Sequence, residues 1–170
     1  MRIIILIVMV IMGCVSSTYA TPIKLVNFHS CFKSASERFQ IDNRLLIAIA
    51  EVESTMNPGA IGYNKRNGKI VSEDVGLMQI NSSWFPKLES MGITRKDLLE
   101  NPCQNIYVGA WILASNIAAN GVNWESVGAY NAGFKNANAP FRMKYVKKSL
   151  CTLLGACRVK FLTIKVWSLC

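Results

Sequence analysis

The pattern of apolar and polar positions predicts a mostly helical chain beyond about residue 25. Apolar residues recur every three or four positions, the spacing that places them on one face of a helix. Gly, Pro and Asn separate these stretches and mark turns. The predicted helices run over about 25–38, 43–54, 83–91, 94–100, 103–120, 124–130 and 141–154.

One segment, residues 60–75, lacks the helical pattern and is polar and rich in turn residues. Its Asn67-Gly68 pair is the one that tight hairpin turns favour. We therefore predict two short strands, over 61–65 and 69–72, joined by this turn. The expected fold class is mostly α (α+β), with the small β-hairpin beside a helical core, and 170 residues suffice for one such domain.

The first 20 residues carry a different pattern. One Arg precedes an apolar run from Ile3 to about Val15, and Thr18-Tyr19-Ala20 places small residues where a signal peptidase reads. The run is short for a membrane span, so we predict a secretory signal cut after Ala20 and a periplasmic location. An uncleaved anchor, or a lipoprotein site at Cys14, remain as alternatives.

Export would place the remaining cysteines in an oxidising compartment. Cleavage after Ala20 would leave five of the six, an odd number, so at least one thiol stays unpaired or pairs with another chain. Sequence alone does not give the connectivity. Cys31 and Cys103 both lie beside predicted helices and are the favoured pair, and their long loop would make the bond worth about 4 kcal/mol.

The net charge of +9 favours anionic partners. The sequence carries no basic-aromatic ladder, zinc pattern or Arg-rich arm, so nucleic acid is not expected as a partner. An anionic wall polymer suits an exported protein better, although charge also serves solubility. His29 is the only His, which argues against zinc sites and against Ser–His or Cys–His catalysis. We expect no metal and no cofactor.

Two glutamates lie in the apolar helix over 43–54, and its geometry separates them. At about 100° per residue, Glu53 falls in the middle of the arc formed by Leu45, Leu46 and Ile49, whereas Glu51 falls beside Arg44 on the opposite side. Burial and the carbonyl end of the helix would both raise the pKa of Glu53. A carboxyl protonated near neutral pH is what a general acid for a glycosidic bond needs, although a buried structural carboxyl gives the same pattern.

Two further motifs follow. Gly76-Leu77-Met78-Gln79-Ile80 holds a Gly that permits close approach and an amide able to recognise sugar hydroxyls. Ala129-Tyr130-Asn131-Ala132-Gly133 holds a Tyr whose hydroxyl could reach Glu53. Each motif alone is weak. Together and in order with Glu53-Ser54, they resemble the soluble lytic transglycosylase family, over about residues 29–148.

The resemblance implies a lysozyme-like domain and a role for each matching residue. Glu53 would protonate the oxygen between MurNAc and GlcNAc and then deprotonate the MurNAc 6-hydroxyl, closing a 1,6-anhydro ring. Ser54, Gly76, Met78, Gln79, Tyr130 and Asn131 would serve substrate binding, with Met78 and Gln79 lining the cleft and Tyr130 orienting Glu53. Asp74, just before the second motif, could stabilise positive charge on the sugar or permit hydrolysis; an Asp that caps a turn is the alternative.

Two stretches, NPCQNIYVGAWILA over 101–114 and WESVGAYNAGF over 124–134, resemble the small family members that open peptidoglycan locally for conjugation, type III secretion or type IV pilus machines. We therefore expect a monomeric domain over residues 21–150 that acts on peptidoglycan strands, with components of such a machine as further partners. A hydrolytic muramidase using Glu53 with Asp74 is the close alternative, and a non-catalytic wall-binding module is another. Residues 151–170 match nothing in the family pattern and remain an extension of unassigned structure.

Overall fold

The computed structural model describes residues 28–155. The expected signal segment, the first residues of the helix predicted from 25, and the tail from 156 to 170 with Cys157 and Cys170 lie outside the described residues. Within residues 28–155, no helix has both the length and the apolar character needed to cross a membrane.

Two helices that pack against each other begin the described chain. Helix α1 spans His29–Phe39 and α2 spans Asn43–Ser54. The Asp42 carboxylate accepts the backbone N–H of Arg44 and caps α2. The apolar stripe of α2 is buried through Leu46, Ile49 and Ala50, which aims the far end of the helix, with Glu53, at the interior.

A small antiparallel sheet follows α2, in the order β1-β2-β3. Strands β1 (Ile61–Arg66) and β2 (Lys69–Val75) form the predicted hairpin around Asn67-Gly68, and β2 extends three residues further than expected. The extension arises because β2 also pairs with a third strand, β3 (Ile80–Asn81), opposite Asp74 and Val75. This pairing carries Asp74 inside the sheet instead of at a turn.

The remaining helices enclose a long central one. The segment predicted as one helix over 83–91 is a 3₁₀ turn, Ser82–Trp84, followed by α3. Thr94 and Asp97 form a capping box at the start of the next helix, α4. The five helices are α3 Phe85–Glu89, α4 Arg95–Glu100, α5 Pro102–Asn120, α6 Trp124–Ala132 and α7 Ala139–Leu153.

Helix α5 is the centre of the packing. It contacts α1, α4, α6 and β3, while α7 packs across both α6 and α2. A disulfide joins Cys31 at the start of α1 to Cys103 at the start of α5, with Cα atoms 5.2 Å apart, so the predicted pairing is confirmed. The mostly helical, lysozyme-like architecture with a small sheet is likewise confirmed.

Candidate active site

Glu53 lies in the last turn of α2, where α7 covers it. The Tyr145 hydroxyl of α7 donates a hydrogen bond of 2.5 Å to Glu53 Oε1. One turn further along α7, the Lys148 ammonium donates to the carbonyl of Val52 at 3.1 Å. That carbonyl belongs to the end of α2, where backbone oxygens lack helical partners. Two side chains of α7 therefore fasten the end of the helix that bears Glu53.

The surroundings of Glu53 raise its pKa from 4.5 to about 7. Burial is the largest cause, the Tyr145 hydrogen bond opposes it, the negative charge of Asp74 raises the pKa further, and Lys148 lowers it. Burial and the Glu53 carboxyl also raise the pKa of the Tyr145 hydroxyl well above its ordinary value, so Tyr145 remains a neutral donor. Near neutral pH, Glu53 is thus divided between its protonated and ionised forms, as a group that gives and takes a proton requires.

Asp74 is held by two amides of the neighbouring strands. The Asn64 side chain of β1 donates to Oδ2 and the Asn81 side chain of β3 donates to Oδ1, each at 2.7 Å. The carboxylate bonds across the sheet and caps no turn. Since its charge acts on Glu53, the hairpin lies at the same site as the end of α2, and the sheet fixes the orientation of the second carboxylate.

Asn105 of α5 shapes the Gly76–Ile80 loop. This fully buried side chain donates to the carbonyls of Val75 at 2.9 Å and Leu98 at 3.0 Å, and accepts the backbone N–H of Met78 at 2.7 Å. Gly76 has φ +77°, and a Cβ there would meet the Leu98 carbonyl at 2.8 Å as well as the Asn105 amide. Gly76 is therefore required by close packing of the backbone on Asn105, and its contact with a sugar stays a prediction.

The Met78 side chain does not line a cleft, contrary to the prediction. It is fully buried against Gly109 of α5, where an added Cβ would lie 2.7 Å from the Met78 Cβ. The absence of a side chain at Gly109 opens the space that Met78 fills. Only the backbone of Met78 serves the site, because its carbonyl accepts the Tyr130 hydroxyl at 2.8 Å.

Tyr130 therefore does not make the predicted hydrogen bond to Glu53; Tyr145 makes it instead. The reason is the packing of the helices, since α7 and not α6 crosses the end of α2. Tyr130 lies near enough for Glu53 and Asp74 to help burial raise the pKa of its hydroxyl. Through its hydrogen bond to the Met78 carbonyl, Tyr130 supports the Gly76–Ile80 loop.

Ser54 and Gln79 are also engaged within the protein. The Ser54 hydroxyl bonds to the Leu77 carbonyl at 2.8 Å and accepts the backbone N–H of Asn57. The Gln79 amide nitrogen donates to the carbonyls of Ala60 at 3.2 Å and Gly76 at 2.9 Å. Both side chains thus join the end of α2 to the loop and the sheet, and for a sugar Gln79 retains only its amide oxygen.

Asn131 is exposed and lines a groove along α7 together with Tyr145. Of the residues predicted to bind substrate, Asn131 is the one that is exposed, and it lines this groove with Tyr145, the hydrogen-bond partner of Glu53. The negative charge of Asp74 acts on Glu53, whereas most of the other motif residues shape the backbone around them.

Three residues of the site, Tyr145, Lys148 and Asn105, were not predicted from the sequence. No local signal identifies Tyr145 and Lys148, because their role depends on α7 packing against α2. Asn105 did carry a signal: it lies at helical spacing from Gly109 and Ile112, on the buried face of an otherwise apolar helix. A polar side chain on this buried face needs hydrogen-bond partners inside the protein, which indicates a structural role for Asn105.

The comparisons with known proteins agree with this architecture. A family model described as the transglycosylase SLT domain matches residues 30–150. The invasion protein IagB of Salmonella typhimurium is 48% identical over 118 residues, covering 69% of this chain and 71% of the relative. A peptidoglycan-binding-like protein of Escherichia coli O157:H7 is 43% identical over 122 residues, covering 70% and 73%. Protein IpgF of Shigella flexneri is 39% identical over 117 residues, covering 69% and 74%. The chain therefore belongs to the transglycosylase SLT-domain family.

Proposed function

We propose that the protein is a peptidoglycan lytic transglycosylase that cleaves the β-1,4 bond between MurNAc and GlcNAc and leaves a 1,6-anhydro-MurNAc end. The observation that carries this proposal is the Glu53 carboxyl, buried at the end of α2 with its pKa raised to about 7. Membership of the SLT-domain family supports peptidoglycan as the substrate.

The proposed reaction uses Glu53 twice. Protonated Glu53 gives its proton to the glycosidic oxygen from hydrogen-bond distance, about 3 Å, as the bond to the MurNAc C1 breaks. The resulting carboxylate takes the proton of the 6-hydroxyl, and that oxygen closes on C1. Tyr145 stays bonded to Oε1 throughout, which leaves the other oxygen for the proton. Asp74, held by Asn64 and Asn81, stabilises the positive charge that develops on the sugar ring.

The same two carboxylates favour one alternative, a muramidase in which water and not the 6-hydroxyl attacks C1. The negative charge of Asp74 near Glu53 is the specific observation in its favour. Mass spectrometry of products from purified glycan strands separates the two reactions, since transglycosylation gives anhydro ends and hydrolysis gives reducing ends. Reducing ends alone would exclude the proposed reaction.

Three variants sharpen this experiment. Glu53→Gln should lower the rate by roughly 10²–10⁴-fold, the contribution of a positioned general acid. Glu51→Gln is the matched control, because Glu51 is exposed on the same helix two residues earlier. Asp74→Asn should cost less than Glu53→Gln, and an equal loss would favour the two-carboxylate hydrolase. A fully active Glu53→Gln protein would overturn the catalytic assignment; strand binding without cleavage by wild type would indicate the non-catalytic module.

We further propose that the protein is exported to the periplasm, with the domain beginning after Ala20, and opens the wall locally for a secretion, conjugation or pilus machine. The relative called an invasion protein supports this role. N-terminal sequencing of the periplasmic protein tests the cleavage site, with retention in the membrane fraction as the result expected of an anchor or lipoprotein.

A further inference from the structure

A groove of about 530 Å³ runs along α7 beside the candidate active site. Its lining includes Phe141, Lys144, Tyr145 and Lys148, which recur at helical spacing on one face of α7, and Asn131 from the end of α6. The volume falls within the range of about 300–1,000 Å³ that is usual for small-ligand sites.

The charge of the groove is positive. Lys144, Lys147 and Lys148 place three ammonium groups on its lining within less than two turns of α7. Among residues 28–155, those that line the groove include no Asp or Glu. Lys148 is committed to the Val52 carbonyl, whereas Lys144 is exposed and makes no hydrogen bond or ion pair with any described residue. The groove is therefore suited to an anionic ligand.

The surface between these charges is apolar. Phe141 is 62% exposed, Tyr145 is a further lining residue, and the lysine stems add methylene groups. A bare sugar would gain nothing from the ammonium groups, and an inorganic anion would gain nothing from Phe141. A short peptide with free carboxylates has both the charge and the aliphatic body that this surface matches.

Tyr145 connects the groove to the reaction. Tyr145 is among the lining residues of the groove and its hydroxyl is bonded to Glu53, so a ligand in the groove lies one residue away from the carboxyl. In peptidoglycan, each peptide is attached through a lactyl group to MurNAc, the sugar on which Glu53 is proposed to act. A strand held at Glu53 therefore brings a carboxylate-bearing peptide to this part of the surface.

We propose that the α7 groove binds the peptide substituents of the glycan strand through their carboxylates, so that peptide-bearing strands bind more tightly than peptide-free ones. The proposal rests on the proposed function for its choice of substrate. Lys144 is the expected specificity-determining residue, and Phe141 packs against the aliphatic part of the peptide.

Binding without cleavage tests the idea. The full chain carrying Glu53→Gln keeps strands intact, and its affinity is measured for peptide-bearing strands and for chitin oligosaccharides of the same length, which are peptide-free strands without the lactyl carboxylate that peptide removal would expose. Adding Lys144→Gln or Phe141→Ala should weaken binding to peptide-bearing strands about fivefold each, the usual order for one such contact, and leave peptide-free strands unaffected. Lys96→Gln is the charge-matched control, because Lys96 is exposed on α4, outside the groove.

Equal affinity of the Glu53→Gln chain for the two kinds of strand would overturn the proposal. An equal loss of affinity for both kinds of strand when Lys144→Gln is added would overturn it as well. Either result would be expected if the groove instead served an acidic protein or general attraction to the polymer. Because the readout is binding, these outcomes are independent of whether Glu53 catalyses transglycosylation, hydrolysis or neither reaction.

Discussion

Replacing Glu53 with Gln should make the protein more stable, and the gain should depend on pH. Gln keeps an oxygen that can accept the Tyr145 hydrogen bond but removes the charge that is held out of water. The carboxyl has a pKa of 4.5 when unperturbed and about 7 in the folded protein. Because the folded state binds this proton more tightly, the contribution of Glu53 to wild-type stability is greatest below pH 4.5 and falls as pH rises to about 7.

The size of the effect follows from the two pKa values. At 1.36 kcal/mol per pH unit, the interval from 4.5 to about 7 gives an upper limit of about 3.4 kcal/mol. We expect Glu53→Gln and wild type to differ little near pH 4.5, and the variant to be more stable above pH 7 by an amount that approaches this limit.

Urea denaturation of both proteins at pH 4.5, 6 and 8 measures the difference directly. Glu51→Gln supplies the control for net charge, since Glu51 is exposed on the same helix. A stability difference that stays constant from pH 4.5 to 8 would refute the reasoning, because it would mean that the Glu53 carboxyl titrates alike in the folded and unfolded chains.

Further predictions concern the partners of Glu53 and the scaffold. Tyr145→Phe removes a hydrogen bond that lowers the Glu53 pKa, so the alkaline limb of the pH–rate profile should move to higher pH, whereas Tyr130→Phe should leave that limb in place. Asp74→Asn removes a charge that raises the Glu53 pKa, so the limb should move to lower pH; no movement would contradict the proximity of the two groups. Asn105→Ala leaves three buried backbone groups without a partner and should cost about 3 kcal/mol or more in urea denaturation, with a loss below 1 kcal/mol arguing against its structural role. Removing the disulfide with Cys31→Ser and Cys103→Ser should cost about 4 kcal/mol, given cysteines 72 positions apart, and an unchanged denaturation midpoint would show that it adds nothing.

The sequence predicted the elements whose ends carry local chemical signals. Helix α2, which Asp42 caps, begins and ends at the predicted residues 43 and 54, and α5, which Gly121 follows, ends at the predicted residue 120. Strand β3 was missed because two residues carry no pattern of their own and become a strand only by pairing with β2. Local periodicity predicts a helix and its buried face, but β3 depends on a tertiary contact.

The candidate site divides in the same way. The helical position of Glu53 was enough to predict burial, because the arc that contains it is a property of α2 alone. The choice of Tyr130 as its partner was wrong, since it required knowing which helix crosses α2. Met78 was expected at a cleft because its motif implied substrate contact, yet Gly109 provides a space in the core that a long flexible side chain fills. Most of the motif residues for which the sequence predicted substrate contact instead make packing contacts or hydrogen bonds that hold the backbone in place.

Helix α7 covers Glu53, so the raised pKa of this carboxyl depends on two separate segments of the chain. Glu53 and Tyr145 are 92 positions apart, and both the burial and the hydrogen bond are lost if α7 lifts away. In water, the carboxyl would return to its ordinary acidity and would be ionised at neutral pH. By linkage, ionisation of Glu53 must in turn favour the lifted state, so alkaline conditions loosen the helix that completes the acid. The contact between α7 and Glu53 thus determines both the reactivity of the carboxyl and the local stability of α7. A ligand that binds α7 in its closed position would stabilise the fold and keep Glu53 protonated.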